Sequence, residues 1–144
     1  MSKTIGIIGC RIRNGQSDFQ QCKTKFLEIY EKGDKIVSGG CPKGGDKFAE
    51  IIAKELGLTE ENGMLVLHRT EWDKHGKSAG FVRNKYIARD ADVLIAVVSP
   101  ERKGGTEHTI DIAKSLNKKI ILCEATSYEE VEPVEEFFDI FAIT

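Results

Sequence analysis

Short apolar runs alternate with segments of helical periodicity along most of this chain. The runs are TIGIIG (4–9), KIVSG (35–39), MLVLH (64–68), DVLIAVVS (92–99) and KIILCE (119–124). Consecutive Ile, Val and Leu residues of this kind are typical of strands that are covered on both faces. Between the runs, apolar residues recur at helical spacing from Phe19, Phe48, Phe81 and Ile110. The β-α-β-α order predicts an α/β fold with a doubly wound, mainly parallel sheet of about five strands and helices on both faces.

The chain has 144 residues, a common size for one domain. The alternation ends at residue 124, and we predict a single domain over 1–124. Residues 125–144 are less regular, and they combine acidic side chains with Phe137, Phe138 and Phe141. We expect this C-terminal extension to pack on the domain or on a partner subunit, which favours a homo-oligomer.

Charge is unevenly distributed along the chain. Seven acidic residues and no Lys or Arg follow Lys119, so removing them from the net charge of −2 leaves about +5 on residues 1–119. A mildly basic body suits an anionic small molecule. Nucleic-acid binding is not expected, because no dense Lys/Arg stripe interleaved with aromatic residues is present.

Several other classes of protein are disfavoured by composition. No run approaches the roughly 18 apolar residues that a membrane span requires, and the first apolar run predicts a strand, not a signal peptide. We therefore expect a cytoplasmic protein with no membrane association. The four cysteines contain no C-x-x-C pair and the three histidines lie on separate elements, so neither a metal nor a cofactor is expected.

Three predicted strands end in loops suited to phosphate. These loops are Gly9-Cys10-Arg11, Ser38–Asp46 (SGGCPKGGD) and Gly104-Gly105-Thr106, and the last two open helices. Unpaired N–H groups and partial positive charge at a helix N-terminus stabilise phosphate. Glycine permits the close approach of backbone to ligand. None of the loops matches G-x-G-x-x-G or the P-loop motif, but at the carboxyl edge of one sheet they predict a shared pocket.

The stretch TEWDKHGKSAGFVRN (70–84) adds a fourth element. Trp72 could stack on a base or anchor its loop in the core. Arg83, near the start of a predicted helix, could bind phosphate through two hydrogen bonds, or be an ordinary surface arginine.

These motifs together resemble the SLOG superfamily of Rossmann-like nucleotide sensors, and most closely its YspA/YAcAr-type branch. The matching pieces are SGG…GGD (38–46), W…GKSAG…RN (72–84) and the GGT loop (104–106), and the resemblance covers residues 4–123. It implies a Rossmann-like domain that senses a signalling nucleotide, commonly as a dimer or larger assembly. Cys10 stands where the family usually has Ser.

The same superfamily includes the Lonely Guy (LOG) phosphoribohydrolases, which release the base from a nucleoside 5′-monophosphate, and more distantly DprA. In this resemblance Arg83 and Gly105-Thr106 match the hydrolase motif, but Thr109 stands where the hydrolases have their catalytic Glu. Cleavage of an N-glycosidic bond needs a carboxylate. Glu107 lies about 200° around the helix from that direction, and Asp46 is a typical helix-start residue. Catalytic residues are therefore unknown, with Arg83, Glu107 and Asp46 as weak candidates.

The residues favour a binding protein over an enzyme: a sensor, carrier or scavenger of a nucleotide or nucleotide-derived signal. The alternative is a LOG-like phosphoribohydrolase, and single-stranded DNA binding is the least supported interpretation. The predicted ligand-binding residues are Gly9, Cys10, Arg11, Ser38, Gly39, Gly40, Gly44, Gly45, Asp46, Trp72, Gly80, Arg83, Asn84, Gly104, Gly105, Thr106 and Thr109.

Overall fold

The structure, a computed structural model, describes residues 2–125. These residues form five strands and five helices, with one helix between successive strands except between the third and the fourth, where there are two. The strands are β1 (Thr4–Gly9), β2 (Lys35–Ser38), β3 (Leu65–Leu67), β4 (Val93–Val97) and β5 (Lys119–Cys123). The helices are α1 (Gln16–Ile29), α2 (Gly45–Glu55), α3 (Trp72–His75), α4 (Ala79–Asp90) and α5 (Gly105–Ser115), with a 3-10 turn over Gly76–Ser78 between α3 and α4. Apart from Ala125, the predicted extension 125–144 lies outside the described residues.

All five strands are parallel and form one sheet in the order β3-β2-β1-β4-β5. The chain fills one half of the sheet from β1 outward and then crosses over to fill the other half from β4. The order reverses between β1 and β4, which pair from Ile5–Val93 to Gly9–Val97. The predicted doubly wound parallel α/β fold is confirmed.

Each face of the sheet carries its own apolar core. Ile5 and Ile7 of β1 face α1 and α2 and belong to the cluster that contains Phe26. Ile8 faces the other way, into the cluster formed with α4 and α5 around Ile110. Because successive side chains of a strand point to opposite faces, a continuous apolar run serves both cores.

The predicted runs extend one or two residues beyond most of the observed strands. Gly39, His68 and Ser99 leave the regular sheet to start the loops at its carboxyl edge. The ladder still continues locally, because the His68 N–H donates to the Ser38 carbonyl at 2.8 Å. No helix between residues 2 and 125 is long and apolar enough to cross a bilayer.

Arg13 fixes the loop that follows β1, a role that the sequence did not indicate. The residue is 6% exposed, and Nη1 donates to the carbonyl oxygens of Val98 and Cys123. Its Nε donates to Asp18 in the first turn of α1 at 3.0 Å. A buried arginine that satisfies carbonyls at the ends of β4 and β5 holds α1 against that side of the sheet.

Candidate functional site

A pocket of about 370 Å³ opens at the carboxyl edge of the sheet, where the strand order reverses. We call it the switch-point pocket. It is lined by Ile8, Gly9, Cys10, Arg11, Cys41, Asp46, Arg83, Asn84, Ile87, Lys103, Gly104, Gly105, Thr106 and Thr109. The loop after β1, the start of α2, the second turn of α4 and the start of α5 thus contribute to one cavity. Parallel α/β sheets bind ligands at this position.

The N-terminus of α5 forms one wall of the pocket. Its N-cap, Gly104, has φ of 100°, a conformation that side chains other than glycine rarely adopt. A Cβ on Gly105 would have open space within the described part of the chain, where the single atom inside 4 Å is the Asn84 amide nitrogen, at 3.9 Å. The first backbone N–H groups of α5 therefore border the cavity, together with the positive end of the helix dipole.

Arg83 reaches toward the pocket from α4 and contacts the end of β2. Its Nε donates to Asn84 Oδ1 at 2.9 Å, and Nη1 lies 3.4 Å from the Gly39 carbonyl oxygen. Among residues 2–125 the nearest carboxylate oxygen, Asp46 Oδ2, is 4.0 Å from Nη1. Gly39 allows this approach, because a Cβ there would lie 2.6 Å from Asp46 and 2.7 Å from Arg83.

Asp46 is a buried carboxylate that organises the loop after β2. Its Oδ2 accepts from the Cys41 N–H at 3.2 Å, and its Oδ1 lies 3.2 Å from the Ser38 hydroxyl. That hydroxyl has one proton and also contacts the Ile7 carbonyl oxygen, so it cannot donate fully to both. Burial raises the pKa of Asp46, although the Cys41 N–H and the Arg83 charge oppose the increase.

Asn84 joins α4 to α5. Its buried amide donates to His108 Nδ1 at 3.1 Å and lies 3.4 Å from the Gly105 carbonyl oxygen. With the amide as donor, His108 Nδ1 is the acceptor, and the ring proton is on Nε2. Because Asn84 also accepts from Arg83, the guanidinium is held in a fixed position relative to the first turn of α5.

Two further cations at the pocket have no carboxylate within 4.0 Å among residues 2–125. These are Arg11, in the loop after β1, and Lys103, directly before Gly104. Arg102, next to Lys103, is different: its guanidinium makes two hydrogen bonds to Glu107, of 2.7 and 2.9 Å. The pocket therefore holds more unpaired positive charge than negative charge.

No side chain other than Asp46 brings a carboxylate to the switch-point pocket within the described part of the chain. Thr109 lines it, is 2% exposed, and donates through its hydroxyl to the Gly105 carbonyl at 3.1 Å. Glu107 does not line the cavity and is held by Arg102. Of the three weak catalytic candidates, Arg83 and Asp46 border the pocket and Glu107 does not.

The glycines of the second loop have a packing role that the sequence did not distinguish from ligand contact. A Cβ on Gly44 would collide with the Cys10 carbonyl, and one on Gly45 would collide with the backbone of Ile8. On the other side of this contact, a Cβ on Gly9 would lie 2.9 Å from the backbone nitrogen of Gly45. These glycines let α2 begin directly against the end of β1.

Several predicted ligand residues lie outside the switch-point pocket. Ser38 is fully buried beneath it, and Gly39, Gly40, Gly44 and Gly45 belong to the loop backbone behind it. Trp72 is 63% exposed on the short helix α3 and does not line the cavity. Gly80 of α4 also lies outside it, and a methyl group on Gly80 would have no atom of residues 2–125 within 4 Å.

Four lining residues were missing from the predicted set. Lys103 and Cys41 lie inside the glycine-rich loops themselves, so loop composition was a sufficient signal for both. Ile8 and Ile87 form the apolar floor. Their sequence pattern is that of ordinary core positions, and only the sheet order places them under the pocket.

Sequence comparison finds a similar phage protein and no matching family. No protein-family model matches the chain. Gene 61 protein of Mycobacterium phage D29 is 29% identical over 120 residues, which are 83% of this chain and 94% of the phage protein.

Two solved structures share the Rossmann-like α/β fold. DNA processing protein A from Helicobacter pylori, studied for its single-stranded DNA binding mode, superposes with a TM-score of 0.65 at 18% identity, over 93% of this chain and 72% of that one. The molybdenum cofactor binding protein from Rippkaea orientalis superposes with a TM-score of 0.64 at 20% identity, over 98% of this chain and 85% of that one.

Proposed function

We propose that this protein binds a nucleotide or nucleotide-derived signalling molecule in the switch-point pocket and does not cleave it. The observation that carries the proposal is the position of Arg11, Arg83 and Lys103 around the open N-terminus of α5. Backbone N–H groups and guanidinium groups together stabilise a phosphate. A volume of about 370 Å³ lies within the range of small-molecule sites. The structural relatives named for a cofactor and for single-stranded DNA are compatible with a phosphate-containing ligand here.

A hydrolase of the LOG type is the second candidate, and one observation favours it. Asp46 borders the pocket, and burial raises the pKa of its carboxyl, a property of many catalytic acids. Against this role, the carboxylate is held by the Cys41 N–H and lies beside Arg83. An acid that organises a loop has little freedom to protonate a leaving base or activate water.

Titration calorimetry with AMP, GMP, CMP and UMP, and with a short single-stranded DNA, tests the proposal. We expect one mononucleotide or more to bind, and Arg83→Ala to weaken binding tenfold or more, because charge-assisted hydrogen bonds contribute about 1.5–3 kcal/mol. Lys114→Ala is the matched control, since it removes a cation from the exposed last turn of α5, far from the pocket.

Chromatography of the same mixtures distinguishes nucleotide binding from nucleotide hydrolysis. Free base that accumulates with the native protein and not with Arg83→Ala would establish the hydrolase instead. If only the DNA binds, and Arg83→Ala and Lys114→Ala bind it with the same affinity, the pocket is not a phosphate site. If no nucleotide binds or raises the melting temperature, the proposal fails.

A further inference from the structure

A second cavity of about 360 Å³ lies beside the switch-point pocket on the same edge of the sheet. We call it the β3 pocket, because it begins at Leu67 and His68, where β3 ends. Its other side is formed by α4, through Val82 and Tyr86. Arg83 lines both cavities.

The sheet order explains why the two cavities are neighbours. Along the carboxyl edge, the strand ends follow one another as β3, β2, β1 and β4. The β3 pocket lies at the first of these ends and the switch-point pocket at the last two. Arg83 reaches the Gly39 carbonyl at the end of β2, between them. Neighbouring strands are about 4.8 Å apart, so the two cavities together cover roughly 14 Å of the edge.

The two cavities differ in chemistry. The switch-point pocket offers cations and the N–H groups of α5, which suit phosphate. The β3 pocket has an apolar floor of Leu67, Ala79 and Val82. Tyr86 adds an aromatic wall: the Arg89 guanidinium lies 4.7 Å from its ring centroid and the His68 ring 5.5 Å from it.

Two charged side chains at the rim of the β3 pocket are held in close pairs. Arg69 makes two hydrogen bonds to Glu60, and His68 Nε2 lies 2.6 Å from Asp90. Paired charges around an apolar, aromatic floor favour a planar ring over a second free phosphate. Glu71 also lines this pocket, and its carboxylate has no ion pair among residues 2–125. Of the three arginines at the pocket, Arg83 has the weakest ion pair within that range, the 4.0 Å contact with Asp46.

From this arrangement we infer that the ligand is a pyrophosphate-bridged dinucleotide and not a mononucleotide. One nucleoside and its phosphate occupy the switch-point pocket, Arg83 binds the second phosphate of the bridge, and the second nucleoside lies on the apolar floor of the β3 pocket beside Tyr86. This inference rests on the proposed function and specifies the class of ligand for the same site.

Calorimetry with AMP, ADP, NAD⁺ and diadenosine diphosphate tests the inference. We expect at least one dinucleotide to bind tenfold or more tightly than AMP, and more tightly than ADP, which has the second phosphate without the second nucleoside. Val82→Phe fills the β3 pocket and should remove this gain while AMP affinity stays within twofold.

Leu116→Phe is the control for the added ring, because Leu116 is exposed at the C-terminal end of α5, away from both pockets. If AMP binds as tightly as both dinucleotides, or if the dinucleotide gain survives Val82→Phe, the inference is wrong and the proposed function stands. If no compound binds the native protein, both fail.

Discussion

Asp46 and Arg83 lie 4.0 Å apart although their helices pack on opposite faces of the sheet. α2 and α4 reach each other only at the carboxyl edge, across the end of β2, where Gly39 has no side chain. The pair therefore closes the back of the switch-point pocket. It also sets up a competition, because a bound anion and Asp46 both attract the same guanidinium.

Replacing Asp46 with Asn tests this competition. Asn can accept from the Cys41 N–H through Oδ1 and donate to the Ser38 oxygen through Nδ2, so we expect the loop to keep its structure. Removing the negative charge should strengthen AMP binding about three- to tenfold, since unit charges 4 Å apart interact by about 1 kcal/mol in water. Calorimetry at pH 7.5 measures the change. Weaker binding by Asp46→Asn would show that the carboxylate serves the ligand and not the loop.

Gly45 and Gly105 occupy equivalent positions, each the first residue of a helix after a glycine N-cap of positive φ. A methyl group on Gly45 collides with the Ile8 backbone, whereas one on Gly105 meets no described atom closer than 3.9 Å. We expect Gly45→Ala to lower the free energy of unfolding by about 3 kcal/mol or more.

Gly105→Ala is the control for this pair. It should leave stability unchanged or raise it by up to about 1 kcal/mol, because alanine has the higher helix propensity. Urea denaturation of both variants gives the comparison. Equal losses would mean that the close packing of α2 on β1 is not what requires glycine.

Much of the fold was readable from the sequence, because buried parallel strands have a strong local signature. The five runs and the four longer helices correspond to observed elements. The order of strands is not local information, yet the rule that ligands lie at strand carboxyl ends still placed Arg83 and Gly104–Thr106 together. Arg13 shows the limit of this reasoning, since it binds carbonyls 85 and 110 residues away. Trp72 shows another: an aromatic residue in a motif can lie outside the pocket, and only packing reveals it.

Asp34 gives the stability of this protein a dependence on pH. Burial alone would raise the pKa of its carboxyl, but hydrogen bonds from the Lys3 side chain and from the N–H groups of Lys3 and Glu31 hold it below the ordinary 3.8. A lowered pKa stabilises the folded state above pH 3.8, and this contribution is lost as the pH falls through the folded-state value.

Asp34→Asn should therefore cost about 2–3 kcal/mol at pH 7, and the difference from the native protein should shrink below pH 4. Denaturation curves at pH 7, 5 and 3.5 measure it. Asp92→Asn is the control, because this exposed carboxylate accepts from the Thr4 N–H at 2.8 Å on the neighbouring strand. A constant difference at all three pH values would contradict the assignment.

Substitution of Thr109 tests whether the switch-point pocket binds the phosphate of a nucleotide without hydrolysing it. We expect the native protein to release no adenine from AMP, and Thr109→Glu to weaken AMP binding tenfold or more, because a buried carboxylate repels the phosphate. Ser115→Glu adds the same charge to the exposed last turn of α5 and should leave binding intact. Unchanged affinity in Thr109→Glu would mean that the phosphate lies elsewhere.

The four cysteines provide a test that needs no substitution. Cys10 and Cys41 are partly exposed and line the switch-point pocket, whereas Cys22 and Cys123 are fully buried. Burial raises the pKa of Cys123 to about 11 and raises that of Cys22 as well. Because the thiolate is the reactive form, iodoacetamide at pH 8 should label only Cys10 and Cys41, as read by peptide mass spectrometry.

A bound nucleotide should slow the labelling of Cys10 and Cys41 together, since both residues line the same cavity. Protection of neither thiol at saturating nucleotide would place the ligand outside this pocket, whatever its affinity.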